Sequence, residues 1–177
     1  MKIGWCLGMQ KLNRAEVEMI LASGSSLSGS DLSEINLSGI DFSGTDMSSC
    51  DLRYTDLTGS LLNSINLADS NMGGADLSSA SLQKAILRNV DLRWAILKDA
   101  DFSDADMQGA GLLEANISRA ILQNVNLSGG DLRRTDFSNA SLLGANLSGS
   151  NLAMANLTGA NTEGVSFETC NTYGVKF

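Results

Sequence analysis

Four aspartates, Asp99, Asp101, Asp104 and Asp106, stand within eight residues of one another. Carboxylates at that density could hold a divalent cation, share a proton as an acid–base pair or imitate phosphate. The spacing fails a calcium loop: counted from Asp99, the sixth position is Asp104 where glycine is needed and the twelfth is Ala110 where glutamate is needed. The chain contains no histidine, so a hydrolase triad, the usual zinc site or a base titrating near neutrality would have to come from Asp, Glu, Lys, Cys or Tyr. Neither a G-x-x-x-x-G-K-[ST] loop nor a G-x-G-x-x-G turn is present. No catalytic activity, metal or cofactor is expected.

The elements that position these aspartates explain them better. Asp101 and Asp106 are five residues apart, as are Phe102 and Met107, and the spacing extends both ways. From Leu27 every fifth residue is large and apolar through Phe177, with only Thr162 and Thr172 as exceptions. A period of five matches neither the 3.6 of a helix nor the 2 of a strand, and internal repeats decide the fold before any local signal. With the apolar residue at position i, position i−2 is small, as at Ala75, Ala80, Ala85 and Ala95, and i−1 is mostly Asp or Asn. Positions i+1 and i+2 are Ser, Gly, Arg, Gln and other types that tolerate solvent. Asp101 and Asp106 are therefore i−1 repeat residues first. A chain turning a corner every five residues closes a square every twenty and stacks i over i+20. With coils about 4.8 Å apart, nearly eight of them make a rod about 37 Å long.

The pentads A-[DN]-L-x-x, seen as Ala75-Asp76-Leu77-Ser78-Ser79, Ala145-Asn146-Leu147-Ser148-Gly149 and Ala155-Asn156-Leu157-Thr158-Gly159, resemble the pentapeptide-repeat family over residues 25–177. The resemblance implies an all-β solenoid, a right-handed quadrilateral β-helix of nearly eight coils. In it i and i−2 point inward and i−1 lines the outer face. It also implies that the repeat itself carries no activity, and that some relatives look like duplex DNA to type II topoisomerases and protect DNA gyrase from inhibitors.

Residues 1–24 stand outside the repeat as an N-terminal segment with a capping helix over about 13–23. Asn13 is a good N-cap, Glu16 completes a capping box, and Leu12 and Val17 occupy the staple positions. Val17, Ile20 and Leu21 form the apolar face, and Gly24 can stop the helix. A cover is physically required, because an open solenoid end exposes apolar side chains and unpaired strand groups. The first residues make a poor signal peptide, and no run reaches the roughly 20 apolar residues of a membrane span. The cytoplasm is the expected location, with no membrane partner.

Of the three cysteines, Cys50 and Cys170 occupy i−2 on the same face but six coils apart, about 29 Å, so they fill core slots and cannot pair. Cys6 is the one thiol expected to react. Apolar residues replace Asp or Asn at i−1 in Leu61, Ile86, Ile96 and Ile121, read as tolerated variants of the repeat or a scattered contact patch.

Counting faces in chain order from Leu27, the second has centres at Leu32, Leu52, Met72, Leu92, Leu112, Leu132, Leu152 and Thr172. Next to these centres come Arg53 with Tyr54, Arg93 with Trp94, Leu113, Arg133 with Arg134, Met154 and Tyr173. Every aromatic of the repeat outside the core column falls here. Arg, Tyr, Trp and Met are enriched at interfaces and hot spots, so these nine residues form the candidate protein interface, with Leu113 and Met154 expected to be exposed beside the arginines. The plainer alternative is that long side chains cover the rod, arginine stacking on its aromatic neighbour. Phe167, Tyr173 and Phe177 mark a candidate dimer end, since Phe177 is a core position and Thr162 and Thr172 weaken the last columns.

Net charge −8 and a pI near 4.4 argue against direct nucleic-acid binding, which depends on Lys and Arg neutralising phosphates. The expected function is a non-catalytic rigid scaffold for protein–protein interaction, with a protein partner and a C-terminal homodimer. The alternative is a DNA mimic acting on DNA gyrase. B-DNA of equal length would carry about 22 charges, whereas the repeat nets −9, under half that density.

Overall fold

The computed structural model describes residues 11–177; Cys6 and the rest of the first ten residues lie outside them. From Asp31 to Asn156 every i−1 residue except Asn146 makes a parallel bridge to the residue twenty further on, and Lys11↔Asp31 joins the ladder to the segment before the repeat. The result is a right-handed quadrilateral β-helix with one pentad per side.

Each pentad has five backbone N–H groups to satisfy, and four go to backbone carbonyls. In the pentad centred on Leu52, Asp51 N–H donates to Ser30 O on the coil before (3.0 Å), and Leu52 and Tyr54 N–H donate to Asn71 O (2.7 Å) and Gly73 O (3.1 Å) on the coil after. Thr55 N–H closes the corner onto Leu52 O (3.2 Å). The fifth N–H, at i+1, finds the carboxylate two residues earlier: Arg53 N–H donates to Asp51 Oδ1 at 3.2 Å, and Ser33 to Asp31 at 3.0 Å. This Asx-type bond is the reason Asp and Asn recur at i−1.

The corner is a type II-like turn, which needs a positive φ at its third residue. That residue is i+2. Twelve glycines and seventeen other residues of the repeat take this conformation, Tyr54 (φ 57°), Trp94 (φ 60°) and Met154 (φ 65°) among them.

Inside, the columns of i and i−2 residues form one continuous core from Val17 to Leu157. At four buried i−2 positions a hydroxyl is spent on a carbonyl of the preceding coil: Thr55 Oγ1 donates to Leu32 O at 2.7 Å and Thr135 Oγ1 to Leu112 O at 2.8 Å, and Ser60 and Ser70 do likewise. Cys50 Sγ does the same with Leu27 O (3.1 Å), and the half-buried Cys170 with Leu147 O (3.0 Å).

Helix α1 (Arg14–Ala22) covers the first coil, with Asn13 as N-cap and the reciprocal capping box of Asn13 and Glu16 formed. Val17 is fully buried, and Leu12, Ile20 and Leu21 pack against the core partly buried. Lys11 and Leu12 already pair with the first coil, Leu12 N–H donating to Asp31 O at 2.9 Å.

Candidate functional site

The four aspartates of the opening stretch are engaged by neighbours. Asp101 Oδ1 accepts from Ser103 N–H (2.9 Å) and Ser103 Oγ (2.6 Å), and its second oxygen accepts from Gln83 (2.6 Å). Asp106 accepts from Arg88 at 2.5 Å and Asn126 at 3.1 Å. Asp99 takes both forks of Arg119, one coil on, and Asp104 takes Asn124. Burial pushes the Asp101 carboxyl up, but the bonds from Ser103 and Gln83 outweigh it and hold it below the ordinary range. At Asp99 the bond from Arg119 is the main cause of a similar lowering.

The same lateral pairing runs along the corners. Asn89 donates to Asp69 (3.0 Å), Arg134 pairs with Glu114 (2.9 Å) and Lys11 with Glu34 (3.6 Å), each across one coil. Three large i+2 side chains stand outside this pairing, Tyr54, Trp94 and Met154, exposed by 64%, 52% and 53%. All three stand at the corner that follows the second face.

The structure therefore brings together most of the residues that sequence reasoning selected, on one edge of the rod. Arg53, Arg93 and Arg133 hold Asp51, Asp91 and Asp131 through paired bonds of 2.6 to 2.8 Å from their Nε and Nη2 atoms, so each guanidinium lies flat along the face. Arg93 also stands 5.3 Å from the Trp94 ring centroid. One expectation needs correcting. Leu113 is half-buried, because it stands in the i+1 column between Arg93 and Arg133, whose long stems flank it. The left-handed backbone under Tyr54, Trp94, Arg134 and Met154 is a feature the sequence reading missed; the recurrence of glycine at i+2 is the signal that carries it.

At the other candidate site, Phe167 and Phe177 come from opposite faces and meet edge to face, their centroids 5.7 Å apart at 89°. Phe177 and Tyr173 are 70% and 77% exposed, and Phe167 is half-buried. Phe177 thus holds a core position in register but is not buried.

A family model described as pentapeptide repeats matches residues 25–63, 60–99, 85–124 and 115–153. Among solved structures, the chain is similar to HetL, a pentapeptide repeat protein involved in heterocyst differentiation regulation in the cyanobacterium Nostoc sp. strain PCC 7120. Identity is 27% over 93% of this chain and 92% of that one, with a TM-score of 0.39. It is also similar to alr5209, a pentapeptide repeat protein from Nostoc PCC 7120, at 27% identity over 62% and 83% of the two chains with a TM-score of 0.47. A trypsin-treated form of QnrB1, a plasmid-mediated fluoroquinolone resistance protein, aligns at 20% identity over 85% and 83%, with a TM-score of 0.44. No curated protein matches the chain.

Proposed function

Since the chain belongs to the pentapeptide-repeat family, with repeats matched across residues 25–153, we propose that it is a rigid, non-catalytic scaffold whose second-face corner binds a protein partner. The observation that supports this reading is the corner itself. A left-handed backbone costs a residue with a side chain roughly 1–2 kcal/mol, and exposed rings and thioethers give up the hydrophobic gain of burial. Tyr54, Trp94 and Met154 bear both costs at once. The left-handed backbone is shared with fourteen other side-chain-bearing residues along the rod; what sets these three apart is the apolar surface they expose on top of it.

Among the described residues no helix is long and apolar enough to cross a membrane, and the cytoplasm stays the proposed location. The test is a double substitution, Trp94→Ala with Arg93→Ala, which removes the ring and its stacked cation. The melting temperature should stay within a few degrees, while binding of the first identified partner weakens by about 2 kcal/mol or more, as for typical hot spots. Equal binding by parent and variant moves the interface to another face.

A second reading rests on charge. Residues 31–76 hold eight acidic side chains against Arg53 alone, whereas residues 84–134 hold seven of each sign. The first coils are therefore a strongly anionic cylinder, the feature a DNA mimic for DNA gyrase needs. A supercoiling assay with and without a quinolone tests it: absence of both inhibition and protection at micromolar protein removes the reading.

For the last coil we propose a second copy of the chain as the occupant of the surface bearing Phe167, Tyr173 and Phe177. Sedimentation at tens of micromolar should give a dimer mass, reverting to monomer on Phe177→Asp; a monomer throughout rejects the proposal.

A further inference from the structure

Resting on the reading of the second-face corner as the interface, we propose that its occupant is a proline-rich segment in the polyproline II conformation. It lies along the rod axis with a basic residue at the end nearest the first coil.

The argument begins with spacing. Tyr54, Trp94 and Arg134 occupy the same i+2 position on coils two apart, so with coils about 4.8 Å apart they recur about every 9.6 Å. A polyproline II helix advances about 9.3 Å in three residues and returns to the same face. Its residues k, k+3 and k+6 thus keep register with the three backbone positions that bear these side chains, with an accumulated mismatch of about 0.6 Å. A β-strand presents one face about every 6.7 Å and turns its third residue away. An α-helix returns to one face after seven residues and about 10.5 Å, drifting about 1.8 Å over the same two steps. Only the polyproline form engages the three positions in sequence.

Chemistry points the same way. Between the two aromatics, Gly73 and Gly74 leave this corner of the intervening coil without side chains. The Tyr54 ring settles over Gly74, its Cε1 and Cδ1 within 2.6 Å of where a Cβ would stand, so it lies along the rod. Arg93 stands over the Trp94 ring at 5.3 Å, and the residue remains 52% exposed. Proline rings pack on such aromatic faces, and a segment already in polyproline II loses little entropy on binding. Its carbonyls have no internal partners, and the tyrosine O–H and indole N–H can donate to them.

Charge fixes the direction. Glu34 precedes Tyr54 by one coil in the same column, its side chain 69% exposed and its ion pair with Lys11 long at 3.6 Å. It stands at the head of the anionic first coils, where eight acidic residues face one arginine. A basic residue on the segment is complementary there.

The experiment titrates the full chain carrying Trp5→Phe, so that Trp94 is its sole tryptophan. The probes are a short synthetic peptide with proline at two of every three positions and arginines at one end, and an alanine-rich helical peptide of equal charge. The expected result is saturable binding of the proline-rich peptide with a shifted Trp94 emission. Affinity should fall about tenfold or more in Tyr54→Ala, the loss of one anchor, and stay unchanged in Ile121→Ser on another face. Affinity should also fall in Glu34→Gln, and unchanged affinity in that variant overturns the stated placement of the basic end. Absence of saturation at millimolar peptide, or equal binding by Tyr54→Ala of unchanged melting temperature, overturns the proposal. Tyr54-dependent preference for the helical peptide overturns the polyproline occupant while upholding the corner as the interface. Saturable binding that leaves Trp94 emission unchanged and is as tight in Tyr54→Ala overturns both.

Discussion

Tyr54 lies across Gly74, its counterpart one coil further on: a Cβ placed on Gly74 would stand 2.5 Å from Tyr54 Cε1. The contact links a strained aromatic to a residue whose φ of +69° favours glycine. Gly74→Ala should therefore cost about 1–2 kcal/mol from the left-handed backbone and swing the tyrosine ring off the corner. Gly39→Ala makes the control, because its φ is also +69° with nothing within 4 Å. Chemical denaturation should show similar losses for the two, and only Gly74→Ala should change partner binding. Equal binding by both variants would leave the ring's position without consequence.

The opening aspartates give a second prediction. Asp101→Asn keeps the acceptor for Ser103 and should be nearly neutral, whereas Phe102→Ala, fully buried in its column, should cost about 3–5 kcal/mol through the cavity it leaves. If Asp101→Asn abolished an activity without changing the melting temperature, the carboxylate would have a role beyond its turn.

Much of this was legible beforehand for a simple reason. A column of side chains at i and i+20 follows from the period alone, so the buried run from Leu27 to Leu157 and the inward Cys50 could be placed by counting. The cap at Asn13 and Glu16 obeys local rules and was equally readable. Pairing across coils was not. Asp99 with Arg119 and Glu114 with Arg134 are each twenty residues apart, and which of several neighbours a long side chain chooses depends on rotamers that composition does not encode. The positive φ at i+2 was obscured because so many residues other than glycine stand there. Leu113 was misjudged for the converse reason, since its cover comes from arginine stems rather than from its own pentad.

The four apolar i−1 residues yield a third prediction. Ile96 stands in the ladder between Asp76 and Asn116, yet it has no side-chain acceptor for the N–H of Lys98. Ile96→Asn should restore that bond and stabilise by about 0.5–1.5 kcal/mol, read as a rise in denaturation midpoint. A fall instead would show that the 42% exposed isoleucine contributes more through packing than the bond is worth.

Acid should weaken the fold. The Ser33, Ser43 and Ser48 hydroxyls, followed by the backbone N–H groups of the same residues, hold the carboxyls of Asp31, Asp41 and Asp46 below their ordinary range. At Asp51 and Asp131 the bond from the neighbouring arginine is the main cause of the same lowering. Carboxyls whose folded pKa is lowered bind fewer protons than they do in the unfolded chain. Their contribution is complete above the ordinary value of about 3.9 and is lost as pH falls through the folded values. The melting temperature should hold roughly level between neutrality and about pH 5 and drop below about pH 4. A rise on going from pH 5 to pH 3 would contradict the assignment.

The last prediction sets strain against contact at Trp94. In most secondary structure, replacement by glycine destabilises more than replacement by alanine, by about 0.5–1 kcal/mol. At φ 60° the order should invert, because alanine retains the left-handed penalty of roughly 1–2 kcal/mol and glycine does not. Trp94→Gly should thus be at least as stable as Trp94→Ala and close to the parent, since half of the indole is already in solvent and its stacked arginine keeps the Asp91 pair at 2.6 Å. A loss beyond about 2 kcal/mol on Trp94→Gly would mean that the ring is part of the folding core. With stability retained and partner binding lost, the corner holds tryptophan against its own backbone preference, and the contact it makes outside the chain is what offsets the strain.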